Sequence, residues 1–486
     1  MNKGSVQLTG DRGTGGTRVE QVMAAIHQRI DRRVLTPGAK LPSVRAMADA
    51  MRLSKSTIVD AYDRLAAEGV IRSRPGSGFY VAAPLAPLTL AEIGPRLDSA
   101  VDPLWVLRQS LATRSGTLMP GCGWLPEGWM PEGAIRKALR GLARGEDKGA
   151  LVEYGSPMGA EPLRRLIARR MAEQGVDAGP DQILLADSGT HAVDLVCRFL
   201  IEPGDAVLVD DPCYFNFHAL LRAHRAKVVG VPYTTTGPDI AAFAQALIEH
   251  RPRLYITNSA LHNPTGATLS AATAHRVLKL AEAHDLIIVE DDIFADFEET
   301  PAPRLAAFDG LDRVIRIGSF SKTLSASVRC GHIAARADWI AGLTDLRIAT
   351  GMASSPLSAE LLLSVLTDGS YRRHMDGLRA RLAEARARTA RRLKAIGIIP
   401  WIEPAAGMLL WCRLPDGIDA ADVARRALAD DVVLAPGNVF SLGRSAAGYL
   451  RFNVAQMADE RVFRVLETAM AGQSRPGHVE PDVAHS

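Results

Sequence analysis

The chain has 486 residues, of which 47% are hydrophobic and 23% charged, and this size and balance predict a globular protein with at least two domains. Five scattered cysteines without paired spacing indicate neither a metal site nor a disulfide framework, and no apolar run reaches the length of a membrane span, so we expect a cytoplasmic protein without membrane contact. The net charge of +3 is distributed unevenly along the chain. Residues 1–82 hold 13 Lys and Arg against 7 Asp and Glu, whereas the remainder holds 44 Lys and Arg against 47 Asp and Glu.

Residues 16–82 predict three short helices followed by a β-hairpin. Val22, Ile26 and Ile30 recur at helical spacing, and proline and glycine then break the pattern. Ser43 is placed to cap a second helix. A third helix carries four apolar residues on one face: Ile58, Ala61, Tyr62 and Leu65. This order predicts a helix-turn-helix with a wing.

The same segment carries the donors that duplex DNA requires. Affinity needs cations that replace counterions on phosphates, and specificity needs a helix whose first residues reach base edges. The candidate DNA-binding residues, at the starts of the second and third helices and in the wing, are Ser43, Arg45, Ser54, Lys55, Ser56, Thr57, Arg72, Arg74 and Gly76. Any one of them also fits a solvated charged face. Together they predict docking on double-stranded operator DNA.

Residues 83–117 contain several prolines and show no sustained helical or strand periodicity. They predict a linker that is ordered in part near Trp105. In residues 118–472, helical patterns alternate with short apolar runs such as "LIIVEDD" and "VIRIGSF". Such alternation indicates an α/β domain with a mainly parallel sheet. Residues 473–486 predict a disordered tail.

The large domain holds residues suited to pyridoxal phosphate, which needs an attachment lysine, a carboxylate, a partner for its ring hydroxyl, a stacking group and a phosphate cup. Lys322 follows an apolar run in "SFSK". Ser319, Ser321 and Arg329 flank it with donors suited to a phosphate. Asp291 is the first of the two aspartates at the end of "LIIVEDD", at the edge of a parallel sheet where α/β folds bind ligands. A surface lysine or a capping aspartate explains either residue alone, so the prediction depends on the combination.

Three further motifs complete this predicted site. Asn263, in "HNPTG", is placed to bond the ring hydroxyl, although this motif is also a common turn. Gly189, Thr190 and His191 begin an apolar helix, whose free N–H groups and positive dipole end suit a phosphate. His191 is either a donor or a spectator. Tyr214 follows another strand end and either stacks on the ring or belongs to the core.

The motifs of the two parts of the chain resemble two different families. "LPSVR" and "GSGFYV" resemble the winged helix of GntR-type bacterial regulators. The segment from Tyr154 through Arg451 resembles the fold-type I aminotransferases, with matching motifs in the same order. In that family the counterpart of Tyr154 reaches the phosphate of the neighbouring subunit, which implies a homodimer with shared sites. In the same family the counterpart of Arg451 binds the substrate carboxylate, so the resemblance implies that Arg451 is the effector-binding residue here.

A GntR winged helix joined to an aminotransferase-like domain is the architecture of the MocR/GabR regulators, which this chain resembles over nearly its whole length. The resemblance implies a bacterial transcription regulator, on the nucleoid when bound to DNA. It implies that Lys322 forms a Schiff base with pyridoxal phosphate and senses an amino compound, or the cofactor itself. The family also implies a homodimer, in which subunits can exchange domains.

Two alternatives stay open. One is a working aminotransferase with a DNA-binding appendage, which the complete set of cofactor ligands favours. The other is a large domain that is only a dimerisation scaffold. Ile293 and Phe294 stand where family enzymes place a tyrosine just after the aspartate, and this departure favours a sensor over an enzyme.

Overall fold

The computed structural model describes residues 17–31, 35, 38–74, 76–82, 105–111, 116–145, 149–443 and 445–471. The chain divides into two compact units, Met1–Thr89 and Leu90–Ser486. Within the described ranges, no helix combines the length and the apolar character needed to cross a membrane.

The N-terminal unit is a winged helix. Its elements are α1 (Arg18–Asp31), α2 (Val44–Met51), α3 (Lys55–Ala67), β1 (Ile71–Arg74) and β2 (Gly78–Val81). Ile58, Ala61, Tyr62 and Leu65 of α3 are all buried, which confirms the predicted apolar face. Ser43 caps α2, as predicted, because its side chain accepts a hydrogen bond from the Ala46 N–H at 3.2 Å. The strands β1 and β2 pair antiparallel as the wing.

The large unit contains two sheets with helices packed around them. Its helices are α4 (Trp105–Leu111), α5 (Glu132–Arg144), α6 (Gly149–Val152), α7 (Glu161–Ala172), α8 (Gly189–Leu200), α9 (Phe215–Ala223), α10 (Ile240–His250), α11 (Ala271–Ala283), α12 (Leu305–Asp309), α13 (Ala337–Gly351), α14 (Pro356–Thr367), α15 (Ser370–Ala395), α16 (Ala420–Ala429) and α17 (Glu460–Ala471). Its strands are β3 (Ile183–Ala186), β4 (Ala206–Asp211), β5 (Lys227–Thr234), β6 (Gly237–Pro238), β7 (Leu254–Thr257), β8 (Ile287–Asp291), β9 (Val314–Ser319), β10 (Gly331–Ala334), β11 (Ile399–Pro400), β12 (Leu409–Arg413), β13 (Ala435–Pro436) and β14 (Tyr449–Asn453).

The larger sheet has the strand order β3-β10-β9-β8-β7-β4-β5-β6. The pairs from β9 to β5 are parallel, and β10 runs antiparallel to both β3 and β9. The strand β3 therefore points the same way as β9, and the carboxyl ends of β3, β8 and β9 meet at one edge. The sheet confirms the predicted α/β fold with mainly parallel strands. Its apolar runs are buried because helices cover both faces.

The second sheet is antiparallel, with the order β11-β12-β14-β13. The chain reaches it immediately before α5, where Leu118 bridges to Val432 and the Gly121 N–H donates to the Val433 carbonyl at 2.9 Å. The helix α4 lies within the predicted linker. Its Val106 is buried in an apolar cluster with Phe215, so this part of the segment packs onto the large unit.

Candidate cofactor and DNA-binding sites

One pocket of the large unit lies at the sheet edge where β8 and β9 end and α8 begins, as expected for a ligand site of an α/β fold. Most of the predicted cofactor residues line it: Gly189, Thr190, Tyr214, Asp291, Ser319, Ser321, Lys322 and Arg329. Its apolar wall includes Leu111, Trp124, Val193, Phe217, Leu220 and Ile293.

Lys322 directs its amine into this pocket from the turn after β9. Its Nζ donates a hydrogen bond to the Gly123 carbonyl at 2.7 Å. Burial and, second, the positive charge of Arg451 lower the pKa of Lys322 from 10.5 to about 8. A lysine that deprotonates this readily is a usable nucleophile at neutral pH.

Asp291 is the last residue of β8, and its side chain is buried. Its Oδ1 accepts a hydrogen bond from the Ile293 N–H at 3.3 Å, and the Asn258 side chain donates to its main-chain carbonyl at 2.8 Å. Burial raises the pKa of the Asp291 carboxyl from 3.8 to about 7. A cation placed against this carboxylate would return it to the ionised form, so the site suits a protonated ring nitrogen.

The third part of the pocket is suited to a phosphate. Ser188 caps α8 by accepting from the His191 N–H at 3.0 Å, and Gly189 and Thr190 follow in its first turn. Hydroxyl donors lie opposite, where the Ser319 Oγ donates to the Ser321 Oγ at 3.0 Å. A helix N-terminus, two hydroxyls and the guanidinium of Arg329 together form a set of anion donors.

Arg451 on β14 is 1% exposed. Its Nη1 donates to the Asn263 Oδ1 at 2.9 Å and its Nη2 to the Gly121 carbonyl at 2.7 Å. Its Nε has no hydrogen-bond partner in the described part of the chain. Burial lowers the pKa of Arg451 from 12.5 to about 10, and the groups that oppose this shift are Cys122 and Tyr214 rather than a carboxylate. The site therefore holds a buried cation that an anionic ligand would stabilise.

Four predicted residues are not among those that line the pocket: Asn263 and Arg451, which are hydrogen-bonded to each other, and His191 and Tyr154. The ring of His191 turns away to Asp187, whose N–H donates to its Nδ1 at 3.3 Å. The carboxylate of Asp187 is also 3.3 Å from that nitrogen, which fits the spectator alternative for His191. Tyr154 is 82% exposed, just beyond α6. Among the described residues that line the pocket of a single chain, Tyr154 is not present.

The structure distinguishes between the two residues that follow the aspartates. Ile293 lines the pocket, and a methyl group on Gly189 would lie 3.2 Å from its Cγ2. Phe294 is 3% exposed and packs in the apolar core with Phe297, at a ring distance of 6.1 Å. Of the two residues that stand where family enzymes place a tyrosine, Ile293 therefore faces the pocket and Phe294 belongs to the core.

The predicted recognition helix α3 begins with a hydroxyl network. The Ser54 Oγ accepts from the Thr57 N–H at 3.2 Å and also hydrogen-bonds the Ser56 and Thr57 hydroxyls, at 2.9 Å and 2.7 Å. This capping engages all three hydroxyls, whereas Lys55 is exposed. Val59 is 43% exposed and lies one turn beyond Lys55 on the same face. Sequence reasoning did not include Val59, because an apolar residue on a helix is ordinarily assigned to the core.

The wing displays exposed cations beside an aromatic ring. Arg72 and Arg74 on β1 are exposed, and the Arg74 guanidinium lies 4.6 Å from the centre of the Tyr80 ring. The Tyr80 hydroxyl hydrogen-bonds Ser77 at 2.5 Å. Gly76, in the turn, has a φ of 71°, a conformation that glycine adopts readily. On the second helix Arg45 is also exposed, so the predicted cations face solvent.

Residues 125–468 match the family model of the aminotransferase class I and II proteins, and residues 18–81 match that of the bacterial regulatory proteins, gntR family. The chain belongs to the aminotransferase class I and II family. The two matches together confirm the recognition made from sequence, a GntR-type winged helix joined to a fold-type I aminotransferase-like domain as in MocR/GabR-type proteins.

Relatives with both parts cover nearly the whole chain. It is 29% identical over 455 residues to the uncharacterized HTH-type transcriptional regulator YdcR of Escherichia coli, across 91% of this chain and 96% of the relative. It is 26% identical over 441 residues to the HTH-type transcriptional regulator NorG of Staphylococcus aureus strain USA300, across 88% and 98%.

Solved structures resemble the large unit. LysN, the α-aminoadipate aminotransferase of Thermus thermophilus, complexed with N-(5'-phosphopyridoxyl)-L-leucine, is 26% identical with a TM-score of 0.69. The match covers 76% of this chain and 95% of LysN. The kynurenine aminotransferase of Pyrococcus horikoshii, at 23% identity and a TM-score of 0.69, supports the fold alone.

Proposed function

We propose that this protein is a pyridoxal phosphate-dependent transcription regulator that binds operator DNA in the bacterial cytoplasm, at the nucleoid. Its aminotransferase-like domain senses an amino compound, or the cofactor itself, through covalent exchange at Lys322. The observation that carries this proposal is the convergence of Lys322, Asp291 and a phosphate-binding helix terminus in a chain that begins with a GntR winged helix.

The pocket residues fit the cofactor group by group. Lys322 would attach it, Asp291 would pair with the ring nitrogen, and Tyr214 would lie against the ring. Thr190 and Arg329, with the serines of the 319–321 turn, would hold the phosphate. When bound, pyridoxal phosphate supplies a carbon that reacts with amines and a ring that withdraws electrons. Burial of Asp291 keeps water away from this charge pair and thereby strengthens it.

Arg451 would select the effector. A carboxylate at its guanidinium would supply the charge that the described residues do not provide, and hydrogen bonds between ions are roughly twice as strong as neutral ones. Asn263 already holds the Nη1 and so fixes the plane of the guanidinium. Arg451 lies close enough to Lys322 for its charge to lower the lysine pKa. We therefore propose an effector that carries both an amine and a carboxylate.

We also propose a homodimer with shared sites. Leu151, Val152 and Tyr154 are 55%, 80% and 82% exposed, an apolar strip that a second copy would cover. Tyr154 would then reach the phosphate in the partner's pocket, as the family implies. Exchange of winged helices between the two subunits is one arrangement of such a dimer.

A working aminotransferase is the second candidate, favoured by the complete set of cofactor ligands. Ile293 argues against it, because it cannot donate the hydrogen bond that tunes the ring for turnover. The test is to titrate amino compounds while the visible spectrum, operator binding and keto-acid release are followed together. A spectral shift with altered operator binding and negligible keto acid supports the regulator. Rapid turnover without effect on DNA binding supports the enzyme.

A further inference from the structure

The chain segment Gly121–Trp124 presents consecutive main-chain carbonyls to donors of the site. Arg451 Nη2 donates to the Gly121 carbonyl at 2.7 Å, and Lys322 Nζ donates to the Gly123 carbonyl at 2.7 Å. Between them, the Asn453 amide donates to the Cys122 carbonyl at 3.2 Å and to the Trp124 carbonyl at 2.7 Å. The Gln456 side chain also donates to the Trp124 carbonyl, at 3.5 Å, so four side chains hold the carbonyls of this segment, and two of them are the proposed effector contacts.

Gly123 lies between the two cations. A methyl group on its Cα would be 3.8 Å from both Lys322 Nζ and Arg451 Nη2, so the two nitrogens are at most about 7.6 Å apart. The φ of Gly123 is not among the positive values of the chain, so backbone conformation does not require glycine there. Its main-chain oxygen is the acceptor that Lys322 uses.

The bond from Lys322 to Gly123 depends on the chemical state of the lysine. If an effector's amine replaced Nζ on the cofactor carbon, the double bond from that carbon to Nζ would break, a double bond to the effector's nitrogen would form, and both protons of the effector's amine would pass to Nζ. Nζ would then be a free amine with hydrogens to donate. While Nζ is doubly bonded to the cofactor carbon it carries no hydrogen, so it would not donate to the Gly123 carbonyl.

We propose that the Gly123 carbonyl is the acceptor that binds the Lys322 amine whenever the lysine is free. The Gly121–Trp124 segment is then held more firmly when the lysine is free than when it is linked to the cofactor. This inference rests on the proposed function. The segment is well placed for such a role, because its Trp124 lines the same pocket as Lys322. Effector capture would add the Lys322 amine to the donors that hold the segment.

Hydrogen exchange of residues 121–124, followed by mass spectrometry on the full-length protein, tests this inference. One sample carries pyridoxal phosphate, which links Lys322, and the other carries N-(5'-phosphopyridoxyl)-L-leucine, which fills the same site and leaves the lysine free. A hydrogen bond from the free Lys322 amine should slow exchange of the segment about fivefold with the second compound. Peptides of α5 serve as the internal control and should not change.

Two variants separate the lysine from the ligand. Lys322→Met has similar length and no donor, so neither compound should slow exchange of the segment. Lys322→Arg can donate but does not form the link, so both compounds should slow it. Thermal unfolding verifies that each variant is folded. If one variant does not fold, the other still separates the effect of the lysine from that of the ligand.

The possible outcomes are distinct. If N-(5'-phosphopyridoxyl)-L-leucine slows the segment equally in wild type and Lys322→Met, the ligand holds the segment and the inference is wrong. Equal exchange with both compounds in a wild type that shows the visible band of linked cofactor also overturns it, while the proposed function stands. A wild type that never develops this band overturns the proposed function together with the inference.

Discussion

The lowered pKa of Lys322 predicts how attachment of pyridoxal phosphate depends on pH. Only the neutral amine attacks, and its pKa is about 8 rather than the ordinary 10.5. At pH 7 an amine with a pKa of about 8 is about 9% neutral, whereas one at 10.5 is about 0.03% neutral, a difference of about 300-fold. Attachment at neutral pH should therefore be far faster than to an ordinary lysine.

The assay is stopped-flow mixing of cofactor-free protein with pyridoxal phosphate between pH 6 and 10, following growth of the visible band. The rate constant should rise about tenfold between pH 6 and 7 and level off above about pH 8, since the neutral fraction then saturates. Nα-acetyl-lysine, measured in parallel, corrects for titration of the cofactor itself.

The same experiment tests the cause of the shift. Burial lowers the Lys322 pKa most and the charge of Arg451 comes second, so Arg451→Met should move the midpoint upward. Arg388→Met, which removes an exposed arginine of α15, is the control and should leave the midpoint unchanged. A wild-type midpoint near 10.5 would refute the reasoning, because it would mean that the amine attacks from a solvated position.

Three other predictions concern cofactor and DNA. Asp291→Asn should weaken binding of pyridoxal phosphate by about 10- to 150-fold in an absorbance titration, because a charged hydrogen bond is worth about 1.5–3 kcal/mol; unchanged affinity would remove Asp291 from the site. Lys55→Ala should lower the magnitude of the salt slope of DNA binding by about 1, whereas Lys227→Ala, an exposed control in the large unit, should not change it. Tyr154→Ala should loosen the cofactor, and mixing it with Lys322→Ala should restore one complete site per mixed dimer; full cofactor affinity in Tyr154→Ala alone contradicts shared sites.

The sequence predicted the parts of the site that lie at the ends of apolar strands. Asp291 and Lys322 follow runs whose burial is evident from composition, so the fold class and the pocket edge could be deduced together. The contact between Arg451 and Asn263 joins residues 188 positions apart, and no local pattern predicts it. Which side chain after the aspartates faces the pocket depends on the turn, and the turn placed Ile293 there.

Other elements lacked any signal of their own. The strands β11 and β13 have two residues each, too short to show an alternating pattern. The Gly121–Trp124 segment, read as sequence, is an ordinary glycine-rich loop. Its role depends on main-chain oxygens, which every residue has and which no residue type identifies. Such acceptors become visible only when the side chains that use them are in place.

The hydroxyl network at the start of α3 limits how operator preference could change over evolution. Ser54 secures the helix start, and replacing such a cap by alanine costs about 1 kcal/mol, so variation there weakens the domain before it retunes recognition. Lys55 and Val59 are exposed and do not cap the helix. New operators should therefore be acquired through positions 55 and 59, while the serine at 54 stays fixed by folding rather than by DNA.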